Sequence, residues 1–250
     1  MTPSESPTML ITGGATGVGK ACALRFAKLG FNVCINYSRS QTDAELAKSE
    51  AEALGARAVL FKCDVSDETA VTQMVEAVRT EYGRLDVLVN NAATTEFIPA
   101  VDLDSLTEEK WDRILAVNLK GPYFCTKACS SLLSAGEGGA VVNVSSVAGQ
   151  TGRGSCIAYA ASKGALNTMT KSFAISLAPN VRVNAVLPGP IDSRWIREGA
   201  NDWDLQEMTS DFPLPRASSP DDIAEGVLFL AVGSSMATGQ LLAIDGGQLL

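Results

Sequence analysis

The sequence predicts an α/β protein: a single domain built on a doubly wound parallel sheet of about seven strands, flanked by helices. Three observations carry this. Short apolar runs alternate with longer amphipathic stretches along the whole chain. The runs are apolar at nearly every position, as strands buried on both faces of a parallel sheet must be. A glycine cluster stands between the first apolar run and the first helical stretch. Right-handed crossovers wind such a sheet both ways, and ligands bind outside the carboxyl ends of its strands.

The elements follow in order. Thr8–Thr12 is the first strand; the glycines follow, then a helix over about 18–29. Asn32–Tyr37 is the second strand, with a helix over 41–54, and Ala58–Cys63 the third, with a helix over 67–82. Leu85–Asn90 is the fourth, with one long helix over 108–134. Ala140–Ser145 is the fifth, with a helix over 157–178, and Val181–Leu187 the sixth. An irregular segment spans 188–219. Pro220 then opens a helix near its first turn, where the missing N–H costs nothing. Gln240–Ile244 closes the sheet. Residues 1–7 form a frayed leader, and 8–250 the domain itself.

Composition excludes several classes. Hydrophobic residues make up 46%, enough for a sizeable core. A net charge of −8 disfavours non-specific nucleic-acid or anionic-membrane binding. No apolar run approaches the ~18 residues of a membrane span, and the first residues lack the basic and apolar regions of a secretory signal. The cysteines, Cys22, Cys34, Cys63, Cys125, Cys129 and Cys156, form no C-x-x-C pair. Reduced, buried thiols in a cytoplasmic protein are the simplest reading. Histidine is absent, so neither a Cys/His zinc site nor a Ser-His-Asp triad exists, and no metal is expected.

Function should sit in the loops after the strands. The first reads Thr12-Gly13-Gly14-Ala15-Thr16-Gly17-Val18-Gly19. Glycine allows tight turns and close backbone approach, and the next helix offers free N–H groups and a positive dipole end to a pyrophosphate. The spacing Gly13, Gly17, Gly19, between first strand and first helix, points to dinucleotide binding rather than a plain turn. After the second strand, Ser38 and Arg39 stand where NAD-binding sheets place a carboxylate for the ribose 2′-hydroxyl, and no acid occurs before Asp43. Arginine suits a 2′-phosphate; a solvated surface arginine is the competing reading. In Cys63-Asp64-Val65-Ser66, Asp64 is placed to accept from an adenine amino group, unless it or Ser66 caps the next helix. Asn90-Asn91-Ala92-Ala93 is small and polar, suited to lie against a cofactor. Ser145-Ser146 follows the fifth strand, and Pro188-Gly189-Pro190-Ile191 the sixth.

Tyr159 and Lys163 are four apart and share a helix face. An ammonium beside a phenol favours the phenolate and lowers its pKa from about 10, so this pair is the best acid–base device in a chain without histidine.

Together these motifs resemble the short-chain dehydrogenase/reductase family, with its Rossmann-type sheet, in the compact branch that includes 3-oxoacyl reductases and glucose dehydrogenases. The resemblance runs from about Thr8 to Gln248. Thr12 to Gly19 match the family's T-G-x-x-x-G-x-G, and Asn90 to Ala93 its N-N-A-G, with Ala93 replacing glycine. The family's serine lies thirteen residues before its tyrosine, which selects Ser146 over Ser145; its helix asparagine falls on Asn118 and its P-G motif on Pro188-Gly189. The tail from Thr238 to Gly247 resembles the family's closing strand.

The resemblance implies hydride transfer between a nicotinamide and a carbonyl or carbinol carbon. Tyr159 is then the general acid/base, and Lys163 lowers its pKa and holds the nicotinamide ribose. Ser146 stabilises the substrate oxygen, and Asn118 positions a water linking Lys163 to solvent. The implied cofactor contacts are Gly13, Ala15, Thr16, Gly17, Val18, Gly19, Ser38, Arg39, Asp64, Val65, Asn91, Ala92, Ala93, Tyr159, Lys163, Pro188, Gly189 and Ile191.

NADP is favoured over NAD. Family members often carry a basic residue where Thr16 stands, but Tyr37 replaces the aspartate of NAD-preferring relatives and Arg39 lies nearby. A lid over 188–219, with Trp195, Trp203, Met208 and Phe212, either lines the substrate pocket or packs onto the body. Thr94, Thr95, Ala148, Gln150 and Ile157 are expected opposite, shaping a site for a mid-sized, partly apolar carbonyl or alcohol. The acidic chain, with Glu137 just before the fifth strand, opposes docking of an acidic acyl carrier. A free small molecule is therefore preferred to a 3-oxoacyl-carrier substrate. NAD-dependent alcohol or sugar oxidation and a non-catalytic cofactor-binding regulator are the remaining alternatives. The helices over 108–134 and 157–178 carry small and apolar residues such as Ala160, Ala161, Ala165 and Leu166; the resemblance implies that they pack into a homodimer or homotetramer, the alternative being that these faces only cover their own sheet.

Overall fold

Seven strands form one parallel sheet in the order β3-β2-β1-β4-β5-β6-β7. They are β1 (Thr8–Ile11), β2 (Asn32–Tyr37), β3 (Ala58–Lys62), β4 (Val87–Asn90), β5 (Gly139–Val144), β6 (Val181–Pro188) and β7 (Leu241–Ile244). This computed structural model describes residues 5–136, 138–199 and 203–250. Most of the expected leader (residues 1–4), Glu137, and residues 200–202 of the expected lid lie outside the described residues. Between the strands lie α1 (Gly17–Lys28), α2 (Gln41–Ala53), α3 (Glu68–Tyr82), α4 (Glu108–Leu115), α5 (Gly121–Leu133), α6 (Ala148–Thr151), α7 (Ile157–Ser176), α8 (Arg194–Gly199), α9 (Leu205–Thr209) and α10 (Pro220–Leu228). No described helix is long and apolar enough to cross a membrane.

Alternation along the strands sends side chains to two cores. Met9, Ile11, Val33, Ile35, Val87 and Val89 meet Phe26 of α1, Ala47 of α2 and Ile223 of α10. Leu10, Cys34, Leu88, Val141 and Val183 meet Val71, Met74 and Val78 of α3 and Cys125 and Cys129 of α5. All six cysteines are free and buried. Burial pushes the Cys22 thiol up to about 12 and raises Cys34, Cys125 and Cys129 as well, the mark of packing groups rather than redox ones.

Local chemistry sets the helix ends. Asp67 Oδ1 caps α3 by accepting from Thr69 N and Ala70 N, and Gly83, at φ 68°, ends it in the left-handed conformation. Neither Asp64 nor Ser66 caps this helix. Ser219 and Asp222 form a reciprocal capping box at α10, with Pro220 in its first turn.

Three departures from the expected elements matter for the site. The helix expected over 108–134 is broken by a π-helical turn at Ala116–Lys120, just ahead of Pro122. Proline has no N–H and its ring clashes with the preceding turn, so the helix widens there. The segment over 188–219 contains α8 and α9. The loop after β5 holds the short α6, too short to leave a periodic pattern.

The sheet order reverses between β1 and β4: the chain runs outward from β1 to β2 and β3, then returns to pair β4 with β1. The crevice at their carboxyl ends is where doubly wound sheets take ligands.

Candidate active site

The glycine loop after β1 is held by two asparagines. Asn91 Nδ2 donates to Thr12 O at 3.0 Å and Gly13 O at 2.9 Å, while Thr12 Oγ1 accepts from Asn91 N and Ala92 N, each at 3.0 Å. Asn36 Oδ1 accepts from Gly13 N at 3.2 Å. Gly13 has φ 62°, and a Cβ there would lie 3.0 Å from Ala92 Cα. A Cβ on Gly19 would lie 2.2 Å from Gly13 O, so α1 packs against the loop through bare backbone. Thr16, the N-cap of α1, makes no side-chain cap, and the first turn carries no acid. Its N–H groups face the crevice unshielded.

The loop after β5 and helix α7 bring Ser146, Tyr159 and Lys163 to one cavity wall. Ser146 Oγ accepts from Ala148 N at 3.1 Å and donates to Pro188 O at 3.5 Å. Ser145 also lines the cavity, but its hydroxyl is engaged, donating to Lys163 O at 3.2 Å. Lys163 is 3% exposed and donates from Nζ to Val144 O at 2.8 Å.

The expected effect of Lys163 on Tyr159 is absent in this geometry. Burial pushes the phenol up to about 12, against the lowering pull of a hydrogen bond with Ser146. Burial lowers the Lys163 ammonium to about 8. Nζ lies 5.5 Å from the Tyr159 ring centre. Desolvation therefore outweighs pairing.

Asn118, in the π-helical turn, is 1% exposed and does not line the cavity. Its Oδ1 accepts from Thr94 N at 2.8 Å, and its Nδ2 donates to Thr94 O at 2.9 Å and Ser162 Oγ at 3.1 Å. Ser162 Oγ in turn donates to Tyr159 O at 2.7 Å. The amide thus ties the loop after β4 to the helix carrying Tyr159.

One cavity of about 960 Å³ joins the glycine loop to these residues. Of the expected cofactor contacts, sixteen line it, from Gly13 to Ile191; Ala15 and Gly19 do not. Ala15 is buried against Tyr37 and Ala44, and Gly19 against Gly13. Asp64 is occupied: Oδ1 accepts from Ser66 N and Oγ, and Oδ2 from Arg113 Nη2 at 2.9 Å. Burial acts to raise its pKa, but the bonds from Ser66 and Arg113 prevail and lower it.

A family model described as enoyl-(acyl carrier protein) reductase matches residues 13–248. The 3-oxoacyl-[acyl-carrier-protein] reductase FabG of Thermotoga maritima is 39% identical over 248 residues, 98% of this chain and 99% of the relative. A crystal structure from Burkholderia xenovorans, assigned to the short-chain dehydrogenases/reductases, superposes with a TM-score of 0.92 at 40% identity, over 98% of this chain and 99% of that one. The chain belongs to the short-chain dehydrogenase/reductase family. It is an oxidoreductase of the carbonyl–alcohol class. A further member, ElxO with NADP bound, superposes with a TM-score of 0.87 at 31% identity, over 98% of this chain and 99% of that one.

Against this family frame, several cavity residues escaped sequence reasoning. Phe97, Arg113, Arg153, Ser155 and Arg194 line the cavity, whereas the expected Gln150 and Ile157 do not. Thr94, Thr95, Ala148, Trp195, Trp203 and Met208 do; Phe212 does not. Trp195 stands edge-on to Tyr159, ring centres 6.3 Å apart, and Trp203 edge-on to Phe97 at 5.4 Å. Arg194 of α8 reaches Asp43 in the first turn of α2 at 3.1 Å, bridging the segment after β6 to that helix. Arg153 was findable as the cation six residues before Tyr159, and Phe97 as the aromatic two residues after Thr95; Arg113 is brought in from α4 by tertiary packing alone.

Proposed function

We propose that the protein is an NADP-dependent reductase of a carbonyl group on a mid-sized, partly apolar molecule. The observation that carries this is the single cavity shared by the glycine loop and by Ser146, Tyr159 and Lys163. The loop fits a dinucleotide: its glycines leave no room for side chains on the body side, while Gly17 faces open space and the α1 N–H groups are uncapped. When bound, the cofactor supplies the hydride. Tyr159, held protonated at neutral pH by its pKa of about 12, donates its proton to the developing alkoxide. Ser146 donates a hydrogen bond to the substrate oxygen as charge builds. Lys163, bonded to Val144 O, has donors left for the nicotinamide ribose hydroxyls. Asn118 keeps the Tyr159 helix and the loop at Thr94 in register.

Arg39 favours NADP over NAD: it lines the cavity beside Ser38 and takes part in no ion pair among the described residues, so its guanidinium is available to a 2′-phosphate. NADP bound to the family member ElxO supports the same choice. Residues 8–250 act as one catalytic domain with 188–219 as the substrate lid. Six free, buried thiols fit a reducing cytoplasm. Exposed apolar residues such as Tyr123, Ile175 and Phe229 fit burial in a homodimer or homotetramer.

A second reading, reduction of a 3-oxoacyl group on an acyl carrier, is favoured by the FabG name of the Thermotoga relative. The net charge of −8 favours a free substrate. The test is NADPH oxidation with ketones and diketones, and with a 3-oxoacyl carrier thioester beside its free acyl analogue. Turnover of free ketones supports the proposal. NADPH binding without turnover of any of them favours a regulatory protein, and turnover of the carrier thioester alone favours the second reading.

A further inference from the structure

The cavity holds more positive charge at its substrate end than the reaction uses. The chain has eleven arginines. Nine have an engaged guanidinium: Arg25, Arg57, Arg79, Arg84, Arg113, Arg194, Arg197 and Arg216 pair with carboxylates, and Arg182 donates to main-chain oxygens. Arg39 and Arg153 are the two without a side-chain partner among the described residues, and both line this one cavity. Both are exposed to solvent where they line it, so in a chain with 28 acidic residues each guanidinium is open to an incoming anion.

The two stand at different ends. Arg39 follows β2 and Arg153 lies beyond β5, three strand positions across the sheet, or about 14 Å. The two thus flank different parts of the cavity. Arg39 sits at the loop that takes the far ribose in doubly wound sheets; Arg153 sits beside Tyr159. A Cβ on Gly154, its neighbour, would lie 3.4 Å from Tyr159 Cδ1.

The backbone that carries Arg153 is fixed. Arg153 N donates to Thr151 Oγ1 at 3.1 Å, and Thr151 Oγ1 donates to Val147 O at 3.2 Å. Ser155 is clamped to the opposite wall, its Oγ 2.5 Å from Thr95 Oγ1 and its carbonyl accepting from Ile98 N at 2.9 Å. The cavity wall also carries aromatic side chains, beside Thr94, Met208 and a Glu198 carboxylate that pairs with Arg194. Trp195 stands against Tyr159, and Trp203 against Phe97. Such faces select flat rings over flexible chains, and a guanidinium pairs with a carboxylate through two parallel bonds.

We propose that Arg153 reads a carboxylate on a flat aromatic ketone, whose ring packs among Trp195, Trp203 and Phe97 while its carbonyl meets Tyr159. The proposal rests on the reductase reading of this cavity and names its substrate class. A phosphate on a pantetheine arm is the other source of an anion at this position.

The test compares 4-acetylbenzoate with acetophenone, and a 3-oxoacyl phosphopantetheine thioester with its unphosphorylated pantetheine analogue. Wild type is expected to favour the benzoate over acetophenone by about tenfold or more in kcat/KM, carried by KM. Arg153→Gln should collapse that ratio toward one, and Arg153→Lys should restore part of it. Quenching of tryptophan fluorescence by 4-acetylbenzoate on the NADP-loaded protein should show the same order of affinities without any turnover. Equal use of the two ketones by wild type, or a ratio unchanged in Arg153→Gln, would overturn the proposal. So would a charge preference seen only in the pantetheine pair. Failure of every ketone to oxidise NADPH strikes the reductase reading instead, and the fluorescence titration still decides the role of Arg153.

Discussion

Lys163 Nζ lies 5.5 Å from the centre of the Tyr159 ring and donates at 2.8 Å to the main-chain oxygen of Val144. The lysine is thus anchored to the sheet edge beneath the tyrosine. Spacing on α7 puts both on one face, yet the packed environment, not the pair, governs how each titrates.

Tyr159→Phe removes the proton donor while keeping the ring that packs on Gly154 and Trp195. Turnover should fall about 10²-fold or more, with NADPH affinity and thermal stability close to wild type. Single-turnover kinetics beside a cofactor titration check this; turnover near wild type would remove Tyr159 from the mechanism.

Lys163 gives stability a pH signature. Its pKa is about 8 when folded, against the ordinary 10.5. Below the folded value both states hold the proton, and the folded state bears the full cost of a buried charge. Between about 8 and 10.5 the unfolded chain binds more protons, so stability rises with pH; above that window the cost is gone. Lys163→Met lacks this term. Urea unfolding of both proteins should show their stability difference shift in favour of wild type through the window, by an amount on the order of 3 kcal/mol. A difference independent of pH would mean that Lys163 titrates normally.

Arg39→Asp places a carboxylate where a 2′-phosphate is expected. NADPH should bind at least about tenfold more weakly, with NADH little changed or improved. Fluorescence titrations of the two cofactors decide it; equal weakening of both would end the assignment of Arg39 to the phosphate.

Two glycines of the loop separate packing from strain. Gly19→Ala drives a Cβ to 2.2 Å from Gly13 O, a backbone atom that cannot yield cheaply. It should cost about 1–3 kcal/mol and disrupt cofactor binding. Gly17→Ala meets no atom within 4 Å, and its cost is the left-handed conformation at φ 53°, about 1–2 kcal/mol. Chemical denaturation with and without NADPH distinguishes them: the Gly19 variant should lose the stabilisation that the cofactor gives.

The sheet was readable in the sequence because its strands are apolar at nearly every position, and the candidate site because the glycines and Ser146 sit in strand-end loops while Tyr159 and Lys163 stand one turn apart on the next helix. The broken helix was signalled by Pro122 but masked by good periodicity on either side. Arg113 reaches the cavity from α4, so no strand-end pattern marks it, whereas Phe97 only extends the loop of Thr94 and Thr95 by two residues. The roles of Asn118 and Asp64 depend on partners, Thr94, Ser162 and Arg113, that only folding brings near.

Those partners make Asn118 a joint between the site's two walls. Through Thr94 it holds the loop after β4, and through Ser162 it reaches the Tyr159 carbonyl. Asn118→Ala removes the partners of the half-buried Thr94 N–H and C=O, which should cost about 1–2 kcal/mol. Turnover should fall as well, because Tyr159 loses its registration against the opposite wall. Ser162→Ala leaves both Thr94 bonds in place, so it should keep most of the stability while sharing part of the loss in turnover. Denaturation midpoints and kcat for the two variants check this. Full stability in Asn118→Ala would show that the joint is not structural and would return Asn118 to the proton-relay role alone.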